Sequence, residues 1–279
     1  MQPTHAEVAR TLAAGHLPAS AHIACRRFSL GFSAPSGGPG AGSGPSSLSL
    51  GFSAPSGGPG AGSGLSSFPV RHVADAHGRV LLLSPAGGAL ATALEPLEGN
   101  DDTALVLDIS DVPPVAGAPS LGRVWVAGWA KRLTGDQARQ AALDYAEADP
   151  ATDLLDVGDG HVLHRMDVAE VRYERGGAQF DVDPDEYAEA TPDPLRTIEF
   201  DLIADLADHH LPQMTDYVRR RLGPVAGPSD EPEVVRLDRY GLLVRVGDRL
   251  ARLAFPRAVR DRHDLAHLLH PVLCRTCRP

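Results

Sequence analysis

The chain has 279 residues, enough for one large domain or two small ones, and its 43% hydrophobic and 22% charged residues are typical of a globular protein. Its 36 acidic residues outnumber its 26 Lys and Arg residues, which argues against nucleic acid as the main partner because phosphate contacts need a basic surface. No run of about 18 apolar residues predicts a membrane span, no leader pattern opens the sequence, and the three cysteines suggest no disulfide framework. We therefore expect a cytoplasmic protein with reduced thiols.

The first quarter of the chain predicts a short helix, a strand and an insertion of low complexity. THAE at residues 4–7 is a capping-box sequence that opens a helix, and ASAHIAC at 19–25 alternates as a strand does. SLGFSAPSGGPGAGSG then occurs twice within residues 28–67, and neither copy has the spacing of a phosphate-binding glycine loop. Gly, Pro and Ser cannot bury enough apolar surface to order a chain. We therefore interpret residues 28–67 as a disordered insertion.

The middle of the chain predicts a β-barrel. Strand-like segments follow one another as FPVRHVADAHGRVLLLSP, DTALVLDIS, GRVWVAGWAKRL, HVLHRMDVAEVRYE and AQFDVD. The last two are joined by Gly176-Gly177, which suits a tight hairpin turn. Helix-like segments occur only at the margins of this region. Six or seven short strands in this arrangement indicate a closed or nearly closed barrel.

The last third of the chain changes character at Asp193. An N-cap residue followed by proline opens a helix there, and Gly223 is a suitable end for it. GPVAGPSDEPE then reads as a linker, VVRLDRYGLLVRVGDRLARLAFP as two or three strands, and DRHDLAHLLHPVL as a final helix. Residues 193–273 are therefore predicted to form a small α+β module of helix, hairpin and helix, with 274–279 as a flexible tail.

A histidine pair is the first candidate for chemistry. His209 and His210 lie beside the apolar stripe of the helix that begins near residue 193, next to Leu206 and Met214. A histidine in such a place is commonly a core or interface residue. It is also the common axial ligand of haem and a frequent ligand of transition metals. The sequence of the pair leaves both interpretations open.

The C-terminal segment HLLHPVLCRTC holds a second set of possible ligands. His267, His270, Cys274 and Cys277 are zinc-type residues, but zinc sites usually pair two short knuckles a dozen or more residues apart. On a helix these four would spread along roughly 15 Å of axis, too far to surround one ion. We favour a chain terminus with incidental cysteines. Hydrolase motifs such as G-x-S-x-G and H-E-x-x-H are missing from the sequence.

The chain resembles a known superfamily in two regions. The stretch 236–273 is similar to the C-terminal module attached to flavin-type split barrels in the HugZ-like haem-utilisation superfamily, through its D-x-x-G, R-x-x-F-P and D-x-x-x-L motifs. DLADHHLPQM resembles that family's H-M-N-x-D-H helix motif, with His210 at the last His position and Asp205 where the first His stands. The strands upstream resemble the barrel of pyridoxamine 5′-phosphate oxidase relatives. The resemblance covers residues 5–27 and 68–273.

The resemblance implies a mainly β fold with α+β character. It would comprise a split β-barrel at residues 1–192, interrupted by the 28–67 insertion, and a HugZ-like α+β module at 193–273. Relatives of this class are homodimers, so it also implies a homodimer. In such barrels an Arg on the second strand and a Ser/Thr-rich segment after the third hold the FMN phosphate. Arg71 and Ser84 stand at those places.

The resemblance also implies a tetrapyrrole ligand. Haem-degrading relatives bind haem through a His near the C-terminal module or tail, and the candidates are His209, His210, His267 and His270, with His210 on the iron. The leading hypothesis is therefore a haem-binding or haem-handling protein, either an oxidoreductase or a carrier. The alternatives are an FMN-dependent oxidoreductase and a non-enzymatic regulatory binding protein, since plant relatives use the same fold without catalysis.

Overall fold

The computed structural model describes residues 2–24, 65–95, 102–223 and 231–274. Its strands are β1 (Ala19–Ala24), β2 (Leu65–Ala74), β3 (Val80–Pro85), β4 (Thr103–Ser110), β5 (Arg123–Arg132), β6 (His161–Arg175), β7 (Ala178–Val182), β8 (Glu233–Asp238), β9 (Gly241–Val246) and β10 (Arg249–Ala254). Its helices are α1 (His5–Leu12), α2 (Ala89–Ala93), α3 (Gly135–Ala148), α4 (Pro184–Glu189), α5 (Glu199–His209), α6 (Leu211–Leu222) and α7 (Arg262–Leu273).

The first seven strands build an antiparallel barrel. Their order in the sheet is β3-β2-β1-β4-β5-β6-β7, and β3 also pairs with β6, so that six strands close into a ring. β7 extends the sheet as a hairpin from β6, and the turn uses Gly176 and Gly177 with φ of 59° and 81°, which glycine adopts readily. The predicted barrel and the mainly β fold class with α+β character are confirmed.

The barrel wall carries apolar side chains on both faces. Leu82 and Met166 point into the interior, where α1 also packs its buried face. Leu81 points outward and belongs to a second core cluster with α3, whose Tyr145 is fully buried. Because successive residues of a strand face opposite sides, this alternation assigns the residues of β2 and β3, and those of β6 as far as Val168, to the interior or to the side covered by α3; a register shift against β5 follows in β6.

The low-complexity insertion connects two neighbouring strands. β1 and β2 are antiparallel partners, with Ala24 opposite Leu65. The predicted insertion was placed at 28–67, but Leu65, Ser66 and Ser67 pair with β1 and belong to β2. Residues 25–64 lie outside the described part of the chain, so the predicted disorder of the insertion stays a prediction.

The C-terminal region has a small sheet of its own. β8, β9 and β10 form a three-stranded antiparallel meander, and α5, α6 and α7 share a core with it that includes Leu206, Leu242 and Leu265. The single helix predicted after residue 193 is two helices. The chain leaves the helical conformation at His210 (φ −127°, ψ 12°), and Pro212 falls in the first turn of α6, where a missing N–H does no harm.

Buried ion pairs join this region to the barrel. Asp111, just after β4, accepts hydrogen bonds from Arg196 at 2.6 Å and from Arg236 at 2.8 Å. Glu199, at the start of α5, accepts from the same two arginines at 2.6 and 3.1 Å. All four side chains are at most 10% exposed. Because each charge is paired, the network fixes α5 and β8 against the barrel without leaving a buried charge unmatched.

Candidate functional site

A cavity of about 430 Å³ lies between α5, α7 and β8. Its apolar lining consists of Leu202, Leu206, Leu237, Leu265, Ala266, Leu269 and Leu273. Its polar lining consists of Asp205, His210, Arg262, His270 and Cys274. A largely apolar wall with a few polar groups is the usual composition of a small-molecule site, and the volume falls within the range of roughly 300–1,000 Å³ that such sites occupy.

His210 is a half-buried imidazole in this wall. It sits at the junction of α5 and α6, and its side chain is 30% exposed. Its Nδ1 is buried and has no hydrogen-bond partner among the described residues. Its Nε2 lies 3.9 Å from Oδ2 of Asp205, one turn earlier in α5. Other buried histidines of the chain also have a ring nitrogen without a partner among the described residues, so what distinguishes His210 is its place in the cavity wall.

The structure separates the other histidine candidates. His270 lines the cavity with His210, whereas His209 and His267 do not. His209 is 70% exposed and faces Asp205 at 3.3 Å. Within the described residues, no group of three or more His, Cys, Asp and Glu side chains could hold a metal ion. Cys274 lies in the wall and forms no disulfide within the described residues, and Cys277 lies outside them.

The lining of the cavity defines the kind of ligand it would accept. The leucines favour a flat or bulky apolar body, and an imidazole can bind a metal ion. Arg262 opens α7 and can pair with a carboxylate in a charge-assisted hydrogen bond. A metal-containing apolar ligand with acidic substituents matches this set.

Arg71 and Ser84 do not come together. Arg71 on β2 pairs with Leu83 of β3, so its side chain lies on the face covered by α3, while Ser84 faces the interior. Arg71 is held by Asp149 at 3.3 Å and Asp153 at 2.8 Å. The Ser84 hydroxyl is buried and has no hydrogen-bond partner in the described part of the chain. A single phosphate cannot reach both groups through the sheet.

Two buried histidines were missed by the sequence reasoning. His72 on β2 and His164 on β6 both lie opposite Leu82 of β3, so both rings face the barrel interior. Burial lowers the pKa of each to about 4. Neither ring nitrogen of His72, nor Nδ1 of His164, has a hydrogen-bond partner among the described residues. The sequence did contain a signal for His72, because residues two apart in a strand share a face and His72 therefore lies on the same face as the apolar Val70.

Comparisons with known proteins identify a shared fold. No family model matches the chain, and no curated protein matches it. A heme binding protein from Mycobacterium smegmatis aligns over 99% of this chain and 98% of its own, with 20% identity and a TM-score of 0.64. A protein of unknown function from Agrobacterium tumefaciens aligns over 98% and 97%, with 15% identity and a TM-score of 0.41. An FAD and heme binding protein from M. smegmatis aligns over 67% and 77%, with 11% identity and a TM-score of 0.29.

Of these three alignments, the first is close enough to establish a common fold. It spans both sheets, so the arrangement of barrel, helices and small sheet recurs in that mycobacterial protein. None of the helices in the described segments is both long and apolar enough to cross a membrane. The homodimer, the cytoplasmic location and the domain boundary at residue 193 stay predictions. In the part of the chain that the structure describes, the fold is a split barrel, mainly β with α+β elements, and it is shared with the mycobacterial protein.

Proposed function

We propose that the protein binds haem in the α5–α7 cavity, with His210 as the iron ligand. The observation that carries this proposal is the place of the His210 imidazole, which is 30% exposed and lines a cavity whose wall is built mainly of leucines. Histidine is a standard axial ligand of haem iron, and an apolar pocket suits the macrocycle. The fold shared with a heme binding protein from M. smegmatis supports the same ligand class.

The remaining lining fits the rest of a haem molecule. Leu206, Leu265 and Leu269 would pack against the macrocycle, and Arg262 would pair with a propionate. His270, in the same wall, is the alternative imidazole. The Cys274 thiol also lines the cavity, and a thiolate is a further known haem ligand. The chain thus offers, in one wall, candidate donors for the iron and a cation for a propionate.

Asp205 would act as a positioning residue. Its carboxylate lies 3.9 Å from Nε2 of His210 and 3.3 Å from Nδ1 of His209. A carboxylate beside a metal-binding imidazole fixes the ring orientation and raises its basicity. The resemblance places a histidine at this position, so the aspartate exchanges a possible second ligand for a group that acts through His210.

The chemistry of the site would be shared between ligand and protein. Bound haem would supply a redox-active iron, while the protein residues hold it, orient it and limit the access of water. We propose a haem-handling role, in which an oxidoreductase and a carrier share the same binding step. Oxygen consumption by the haem-loaded protein in the presence of a reductant distinguishes the two.

A haemin titration tests the proposal. Addition of haemin to the purified chain should shift and sharpen the Soret band, and His210→Ala should abolish that shift because the iron loses its ligand. His209→Ala is the matched control, since this neighbouring histidine is exposed and outside the cavity. If haemin shifts the Soret band of His210→Ala as much as that of the wild type, or if both variants lose the shift equally, the iron is held elsewhere.

The flavin alternative has its own readout. We would titrate FMN under the same conditions and compare the wild-type chain with Arg71→Ala. Because Arg71 is paired with two carboxylates and lies on the opposite face from Ser84, we expect no saturable flavin binding. Tight FMN binding that is lost in Arg71→Ala would replace the haem proposal with a flavin-dependent oxidoreductase.

A further inference from the structure

Two histidines on α7 form a close pair away from the cavity. His263 and His267 are one helical turn apart, and their Nε2 atoms are 2.9 Å from each other. The two rings are nearly perpendicular, with an interplanar angle of 87° and centroids 4.4 Å apart. Both residues are exposed, and neither lines the α5–α7 cavity. The haem proposal therefore makes no use of this pair.

The backbone beneath the pair is firmly held. The Asp261 side chain caps α7 by accepting a hydrogen bond from the backbone N–H of Asp264 at 2.7 Å. The Asp264 carboxylate in turn accepts two hydrogen bonds from Arg257 at 2.6 Å and one from the backbone N–H of Arg260 at 3.1 Å. These hydrogen bonds hold the first turns of α7 in place. The backbone that carries the two imidazoles therefore has a fixed geometry.

The spacing of the two nitrogens matches a chelating geometry. Imidazole nitrogens bind transition metals at about 2.0–2.1 Å, so two nitrogens 2.9 Å apart would subtend roughly 90° at a shared ion. That is the angle between neighbouring ligands in square-planar and octahedral complexes, which Cu²⁺ and Ni²⁺ adopt. A tetrahedral ion such as Zn²⁺ would need the nitrogens roughly 3.3 Å apart.

We propose that His263 and His267 form a surface site for a single Cu²⁺ or Ni²⁺ ion. The two imidazoles occupy adjacent coordination positions. Water supplies the others, because no third His, Cys, Asp or Glu donor joins them among the described residues. Cu²⁺ binds more tightly than Ni²⁺, following the general order of stability of divalent complexes with nitrogen ligands. Mg²⁺ and Ca²⁺, which prefer oxygen ligands, do not compete.

Metal titration of the full-length, tag-free, EDTA-treated chain tests this site. Calorimetry with Cu²⁺ should detect a site whose affinity falls roughly tenfold or more in His263→Ala and in His267→Ala, since outer-shell changes alone cost that much. His77→Ala is the matched control, because His77 is an exposed histidine on a distant turn. The His77→Ala variant should bind Cu²⁺ with the same affinity as the wild type.

A second measurement keeps the result independent of folding. The electron paramagnetic resonance spectrum of the Cu²⁺-loaded chain should show two equatorial nitrogen ligands, and one fewer in His267→Ala. Cu²⁺ affinity that is unaltered in both α7 variants would overturn the site. Tighter binding of Zn²⁺ than of Cu²⁺ would overturn the assigned metal.

Discussion

At the scale of single residues, burial decides which histidines remain neutral. His72 and His164 face the barrel interior, and burial lowers the pKa of each to about 4. The unfolded chain binds protons at these groups near pH 6.5, so both favour folding fully above pH 6.5 and lose that contribution as the pH falls toward 4. Asp193 has the opposite effect on stability. Burial raises its pKa to about 6, so the folded state binds this proton at a higher pH than the unfolded chain does, and stability from this group rises as the pH falls.

We predict that the stability of the protein falls between pH 6.5 and 4. The effect of the two histidines exceeds that of the single aspartate. Each histidine lowers the free energy of unfolding by about 3 kcal/mol once the pH is low enough to protonate it fully in the unfolded chain. Urea unfolding at pH 7, 6 and 5 measures this. His72→Leu should flatten the pH dependence, whereas the exposed control His77→Gln should leave it as in the wild type. The same slope in His72→Leu and wild type would contradict the assignment.

Only some residues of the candidate site could be predicted from the sequence. His210 and His270 could be proposed as ligands from their types and helical positions. Their separation from His209 and His267 could not, because it depends on where α5 ends and on how α7 packs against it. Arg262 carried no signal in the sequence, since its role follows only from the cavity that it lines.

At the scale of elements, local signals located most strands and helices. The Gly176-Gly177 turn correctly placed the β6–β7 hairpin, and the capping box at residues 4–7 forms with both of its hydrogen bonds. The break at His210 was missed because the apolar period runs on from α5 into α6. The Asp111–Arg236 contact joins residues 125 positions apart, and no local pattern encodes such a pair.

We predict that Asp111→Ala destabilises the protein by about 3–5 kcal/mol, because it leaves two buried guanidinium groups without one of their carboxylates. Equilibrium urea unfolding measures the change. Asp136→Ala removes an exposed pair with Arg139 and should leave the midpoint unchanged. Equal stability of Asp111→Ala and wild type would show that the network does not hold the two regions together.

For the whole molecule, local sequence patterns could not predict which strands pair to close the barrel. The alternating strands predicted a barrel, but the β3–β6 pairing that closes it is a contact between distant segments. The insertion is the clearest case in which the sequence alone was informative, since its composition set it apart from the strands on either side. The structure adds that β1 and β2, which it connects, are direct neighbours.

We predict that replacing residues 26–64 with a short turn preserves the fold and haem binding. Antiparallel neighbours need only a tight connection, and the entropy of closing a loop changes only with the logarithm of its length. Thermal unfolding and haemin titration of the shortened chain measure the outcome, with the full-length chain as reference. Aggregation of the shortened chain, or loss of its Soret shift, would assign a structural or binding role to the insertion.

The haem proposal requires that haem occupies the cavity between α5 and α7. Ala266 on α7 and Ala207 on α5 are both exposed, but only Ala266 lines that cavity. Haemin affinity of Ala266→Trp, measured beside Ala207→Trp, therefore tests the location most directly. We predict that filling the cavity weakens haemin binding by roughly tenfold or more, about 1.4 kcal/mol, while Ala207→Trp binds as the wild type does. Equal haemin affinity in the two variants would contradict the claim.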